Sequence, residues 1–121
     1  MSLYLGLPEL AILVTNSAIQ QKDVAIGIIM AESGGRSDAR NHVVNPGSPA
    51  NDSYDRGLWQ LNSYWFRNVS DERCDDPEAA TAVAAWISKG GVQWSLWVTF
   101  NHGSHVKYLS AAQSALAEVN E

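Results

Sequence analysis

YDRGLWQLNSYWF (Tyr54–Phe66) is the stretch on which the fold turns. It crowds an acid, a base, two amides and several aromatic rings into one short run, too polar for plain core and too aromatic for plain loop. Gln60 and Asn62 alternate with Leu61, so on a short extended segment both amides face one way, while Leu58 and Leu61 turn to a core. Amides presented together suit hydroxyl and acetamido groups; either one alone serves equally well as a bond to loop backbone. Asp55, beside Arg56 and Gly57, reads two ways. It is an ionised carboxylate able to support a developing positive charge, or a turn acid paired with Arg56.

The rest of the chain limits what such a stretch can serve. At 121 residues the chain is expected to be one domain, 1–121, with one core. Hydrophobic residues make up 45% and charged residues 17%, which excludes a disordered chain. A net charge of −5 with no Lys/Arg cluster excludes nucleic acid as a partner. An anionic polymer would have to be held by short-range contacts instead. Cys74 stands alone, so no intramolecular disulfide forms, and it reads as a half-buried thiol without chemistry. The apolar run Leu10–Val14 has no positive charge before it, the first basic residue being Lys22. That pattern predicts neither a signal peptide nor a membrane span.

Pro8 and Glu9 suit the first turn of a helix that carries Leu10, Leu13, Val14 and Ala18 at helical spacing. Asp23 is expected to cap a second helix reaching Ala31 or Glu32, apolar nearly all round and therefore central, with Gly34-Gly35 as its stop. Residues 41–55 carry turn chemistry (Asn45-Pro46-Gly47, Ser48-Pro49, Asn51-Asp52) with room for at most a short hairpin. Asp76-Pro77-Glu78 opens a third helix running to about Ser88 before Gly90-Gly91. A last helix is expected from Gly103 or Ser104, with Val106, Leu109 and Leu116 on one face. The class is mainly α, a helical domain with a small irregular or β-hairpin insert.

Glu32 ends the apolar second helix, so its side chain should emerge from the core. Desolvation and the negative end of the helix dipole both raise a carboxyl's pKa, and a protonated Glu is what a general acid needs. The alternative is a solvated helix-end Glu paired with Arg36. Of the aromatics Trp59, Tyr64, Trp65, Phe66, Trp86, Trp94, Trp97 and Phe100, most should be core, leaving one or two to line a groove. His102 and His105 are three apart, but without further ligands and with Gly103 between them no metal site is expected.

MAESGGRSDARN (Met30–Asn41) followed by YDRGLWQLNSYW (Tyr54–Trp65) resembles the lysozyme-like superfamily of peptidoglycan-cleaving enzymes. Glu32-Ser33, Gly57-Leu58-Trp59-Gln60 and Phe100-Asn101 look in order like the motifs of the soluble lytic transglycosylase family. Asp55, Gly57, Gln60, Asn62 and Ser63 fit an Asp-x-Gly-x-x-Gln-x-Asn-Ser string of the chicken-type lysozymes. The resemblance spans residues 24–109 and implies an α+β lysozyme-like fold whose insert forms a saccharide cleft.

By that resemblance Glu32 would be the general acid and Asp55 the second carboxylate. Gln60, Asn62, Phe100 and Asn101 would bind substrate, Trp65 would be a stacking platform, and Trp97 would pack on the acid. The implied activity is a muramidase cutting the β-1,4 bond between N-acetylmuramic acid and N-acetylglucosamine, without cofactor or metal. The alternatives are a lytic transglycosylase leaving 1,6-anhydro ends, or a non-catalytic saccharide-binding or structural module of a phage tail or secretion assembly. Two departures stand out. Phe100 replaces a family tyrosine, which removes a hydroxyl near the acid, and the chain is neither disulfide-bonded nor cationic. The unstapled, leaderless form resembles bacteriophage lysis or virion-associated modules, made in the cytoplasm, acting on the wall and expected to be monomeric.

Overall fold

The computed structural model describes residues 3–44, 47 and 52–119. Helix α1 (Leu7–Thr15) has Pro8 in its first turn and buries Leu10, Ala11 and Val14. It stops short of Ala18, because the Ser17 hydroxyl donates to the Val14 carbonyl at 2.6 Å and closes the end; Ala18 is exposed. Helix α2 (Lys22–Ser33) is the central element expected from its composition, burying Ala25 through Ile29. Its N-cap is Gln21 rather than Asp23. Asp23 lies inside the first turn, where its carboxylate accepts from Val24 N at 2.8 Å and from Gln113 Nε2 at 3.0 Å. Gly34 ends α2 in the left-handed conformation (φ 64°), which a residue without Cβ adopts freely. Glu32 therefore sits in the last turn of a helix whose body is core.

Three antiparallel strands follow, β1 (Arg40–Val43), β2 (Ser53–Arg56) and β3 (Leu61–Asn62), in that spatial order. The hairpin that the turn chemistry allowed is present, with a third short strand beside it. Asn45-Pro46, Ser48-Pro49 and Asn51 of that turn-rich run lie outside the described residues. Asn41 pairs across from Asp55, and Asp55 across from Asn62. Directly opposed residues share a face, so these three polar side chains form one row across the sheet. His42 and Tyr54 stack on the other face, ring centroids 4.9 Å apart.

Arg56 ties the chain after β2 into a knot. Buried to 4% exposure, it donates from Nε to Leu61 O (3.1 Å), from Nη1 to Val69 O (2.8 Å) and Asp71 Oδ1 (2.9 Å), and from Nη2 to Phe66 O (3.1 Å). Gly57 (φ 76°) follows, and a Cβ there would overlap the Cys74 carbonyl oxygen. Asp71 is 68% exposed, so the ion pair alone contributes about 0–1 kcal/mol. The three carbonyls, left without their donor, would cost more. Arg56→Met is therefore expected to lower stability by about 2–4 kcal/mol in urea unfolding. A loss inside the ion-pair range would mean that water replaces the guanidinium.

A short helix α3 (Asp71–Asp75), capped by the Ser70 hydroxyl, precedes α4 (Pro77–Ile87). Helix α4 starts as its Asp-Pro-Glu signal requires, Asp76 accepting from Glu78 N at 3.1 Å. The one-turn helix α5 (Val98–Asn101) was not legible as a helix. The expected last helix begins later than Gly103: a 3-10 turn (Val106–Tyr108) leads into α6 (Leu109–Val119). Val106 is exposed, and α6 buries Ala112 and Ala115 with Leu109 and Leu116 half-buried beside them. The core surrounds α2, with α1 and α6 against it and Cys74 inside. An indole trio, Trp59, Trp94 and Trp97, forms its wall toward the sheet side, with ring centroids 5.5–6.0 Å apart. The class is thus mainly α with a small antiparallel sheet. Among the described residues no helix is long and apolar enough to cross a membrane.

Candidate active site

The end of α2, the sheet and the segment around α5 enclose a cleft of about 690 Å³. Glu32, Asp55, Gln60, Asn62, Trp65 and Trp97 all line it, although they come from four separate parts of the chain.

Glu32 is half-buried, and its Oε2 accepts a 2.9 Å hydrogen bond from the Thr99 hydroxyl. Burial pushes its carboxyl above the ordinary range. The Thr99 bond works against that shift, and the negative charge of Asp55 reinforces it. Arg36 is not its partner: that guanidinium bonds Asp38 at 2.7 Å and the Tyr4 hydroxyl at 3.3 Å. The solvated pair considered for Glu32 does not form.

Asp55 sits half-buried on β2, where Asn62 Nδ2 donates to its Oδ1 at 3.0 Å. Arg56 turns the opposite way, into the loop knot and toward Asp71, so the neighbouring-pair alternative for Asp55 is also absent. Glu32 and Asp55 thus share one cleft, and the Asp55 charge adds to the upward shift of Glu32. A carboxyl with a raised pKa that shares a cleft with a second carboxylate has the parts for passing a proton to a bound oxygen while its neighbour stabilises the positive charge that results.

The amides are arranged otherwise than their alternation suggested. Gln60 precedes β3 in the left-handed region (φ 53°), so the extended segment begins only at Leu61. Its side chain is turned to protein: Oε1 accepts from Asn41 Nδ2, and Nε2 donates to Gly57 O at 2.9 Å and Ala39 O at 3.4 Å. Asn62 spends its amide locally as well. Nδ2 donates to Asp55 and to Ser53 Oγ (2.9 Å), while Oδ1 accepts from Tyr64 N (2.9 Å) and Trp65 N (3.2 Å). Both amides border the cleft, but their bonds shape its floor and hold Asp55 and Trp65 in place. Trp65 stands at the rim, 77% exposed, with Tyr64 edge-on to it at 5.2 Å. Trp97 is buried and donates from Nε1 to Trp59 O at 3.0 Å.

Phe100 and Asn101 are not among the residues lining the cleft. Phe100 stacks on His105, centroids 4.8 Å apart, and Asn101 Nδ2 donates to Ser95 O at 2.8 Å. Successive helical residues point about 100° apart, so α5 can aim only one of Thr99, Phe100 and Asn101 at the acid. It aims Thr99, which sequence reasoning missed. The only signal was a hydroxyl immediately before the aromatic-Asn pair, in a chain whose aromatic had lost its own. The exposed apolar residues Leu96 and Val98, also unforeseen, complete the wall.

Residues 12–99 match the family model described as "Lysozyme like domain", and the chain belongs to that family. The matched span holds both carboxylates and ends on Thr99, leaving Phe100 and Asn101 beyond it. Neither a curated protein nor a solved structure shows significant similarity to the chain. The fold is accordingly α+β lysozyme-like, and membership implies a glycosidase or transglycosylase acting on peptidoglycan.

Proposed function

We propose that this lysozyme-like domain is a muramidase that hydrolyses the β-1,4 bond between N-acetylmuramic acid and N-acetylglucosamine. The observation that carries the reading is that Glu32 and Asp55 line one cleft, with burial raising the Glu32 pKa above its ordinary value. Glu32 gives its proton to the glycosidic oxygen as the bond from the muramyl anomeric carbon breaks. Asp55 faces the resulting oxocarbenium-like charge, as stabiliser or nucleophile, and water delivers hydroxide to that carbon and a proton back to Glu32. Asn62 orients the Asp55 carboxylate, and Thr99 fixes which Glu32 oxygen faces the substrate. Exposed Trp65 offers a ring face for a sugar to stack on.

One observation favours a second reading. The Asn62 bond engages an Asp55 oxygen and weakens it as a nucleophile. The substrate's own 6-hydroxyl would then close on the anomeric carbon and give its proton to the Glu32 carboxylate, leaving the 1,6-anhydro end of a lytic transglycosylase.

Asp55→Asn separates the two. On the muramidase reading it loses on the order of a hundredfold in rate, and wild-type fragments carry reducing muramic ends by mass spectrometry. Anhydro ends from the wild type, together with an active Asp55→Asn protein, would decide for the transglycosylase. A zymogram on purified wall with no clear band would favour a non-catalytic saccharide-binding or structural module.

A further inference from the structure

Helices α1 and α4 leave a groove of about 920 Å³ between them, larger than the cleft that holds Glu32 and sharing no lining residue with it. One wall is Glu9, Ile12, Leu13 and Asn16 of α1; the other is Glu78, Thr81, Ala82 and Ala85 of α4. Each set follows i, i+3, i+4, i+7, so each wall is one helical face about two turns long. Thr81 is buried, and Ala82 and Ala85 are small, which keeps the groove hollow, while Ile12 stands 52% exposed at its edge. Charge gathers at one end. Beyond the last turns of the two helices, Gln20 N donates to Gly90 O at 3.0 Å and Gln21 N to Gly91 O at 3.1 Å. At the far end Ser37 N donates to Leu3 O at 2.8 Å, and the Ser37 and Cys74 carbonyls both lie against Gly57. The first turns of both helices therefore lie at that end, bringing Glu9, Asp76 and Glu78 together along the groove. The two helix N-termini offset about one unit of that negative charge, and no Lys or Arg is among the described lining residues.

We propose that this groove docks an amphipathic helix of a partner protein, apolar along one face and bearing Lys or Arg toward one end. Two helical walls at matched spacing accept the side-chain ridge of a third helix, and the small floor takes its large apolar residues. Helical walls offer no free strand edge, so an extended segment finds no backbone to pair with there. The acidic end selects the sign of the partner. A second copy of this chain carries the same net charge of −5, and an anionic lipid surface is repelled likewise. A docked helix leaves the Glu32 cleft open, so the groove places the domain and does not block it. The proposal stands on the groove alone and does not depend on the muramidase reading.

The test selects binders to the whole chain from a yeast-displayed library of helical peptides about five turns long, with binders to Ile12→Arg protein removed by counter-selection. Enriched peptides are expected to carry large apolar residues at three- and four-residue spacing, with Lys or Arg toward one end. In fluorescence anisotropy at low salt, Glu9→Gln combined with Glu78→Gln should weaken their binding by roughly tenfold. Glu32→Gln combined with Asp55→Asn, which removes charge from the cleft instead, should leave it unchanged. Glu9, Ile12 and Glu78 are exposed, so thermal melts of the groove variants should stay close to wild type. No enrichment over Ile12→Arg protein overturns the proposal, as do enriched peptides that lack basic residues or ignore the Glu9 and Glu78 changes. Sedimentation of the chain alone supplies the last arm: a dimer that Ile12→Arg dissolves would give the groove to a second copy and overturn the separate partner.

Discussion

Glu32→Gln is expected to give a folded protein that releases soluble fragments from purified wall on the order of a thousandfold more slowly than wild type. The amide keeps the size of the side chain and can still accept the Thr99 hydroxyl bond, so the geometry around α5 has no reason to change. What disappears is a proton acidic enough to reach the glycosidic oxygen. Among the described residues lining the cleft the other carboxyl is Asp55, which has the opposite role in the proposed scheme. The check is fragment release by both proteins at equal concentration, beside thermal melts. A folded Glu32→Gln protein with near wild-type release would remove Glu32 from the chemistry.

The same substitution also reports the acidity of Glu32 through stability. Below its ordinary value of 4.5 the carboxyl is neutral in both folded and unfolded chains, and Gln mimics it. As the pH rises through the higher folded value, ionisation brings burial and Asp55 repulsion that the unfolded chain does not feel. The wild type thus loses stability upward through that window, and the variant does not. The melting temperature of Glu32→Gln minus that of wild type should be small near pH 4 and grow positive toward about pH 8. A difference independent of pH would mean that Glu32 titrates as a solvated side chain.

Why some of this was legible follows from how local each signal is. Gly34 stops α2 by its own backbone freedom, so the place of Glu32 at the end of a buried helix needed no tertiary knowledge. Asp76-Pro77-Glu78 likewise announced α4 through bonds within one turn. The misreadings arose where backbone geometry was assumed. Alternation places Gln60 and Asn62 on one face only if both are extended, and the left-handed turn at Gln60 breaks that condition. Strand geometry also argues against an Asp55–Arg56 pair, because neighbours on a strand point to opposite faces. Arg56 found Asp71 instead, fifteen residues on. Thr99 and Glu32 are 67 positions apart, and no local pattern reports that meeting. The helix α5 that makes it is a single turn, too short for periodicity to reveal.

Trp97→Ala is expected to cost about 3–5 kcal/mol of stability, the usual range for truncating a buried tryptophan. The indole is 5% exposed, lies 5.7 Å from Trp59 and 5.5 Å from Trp94 between ring centroids, and donates to Trp59 O. Truncation therefore opens a cavity and leaves that buried carbonyl without its donor. The catalytic consequence has a definite direction. Trp97 lines the cleft with Glu32 and caps α5, which carries Thr99. Burial is the largest cause of the raised Glu32 pKa, so admitting water beside it lets the carboxyl ionise at lower pH. The protonated fraction near neutrality falls, and the alkaline limb of the rate profile moves toward acid. Trp97→Phe separates packing from the indole N–H: it keeps apolar cover, so its pH profile should stay near wild type while part of the stability is lost. Urea unfolding and pH–rate profiles of the three proteins make the check. A Trp97→Ala protein that is destabilised but keeps the wild-type alkaline limb would show that this ring supports the core without setting the acidity of Glu32.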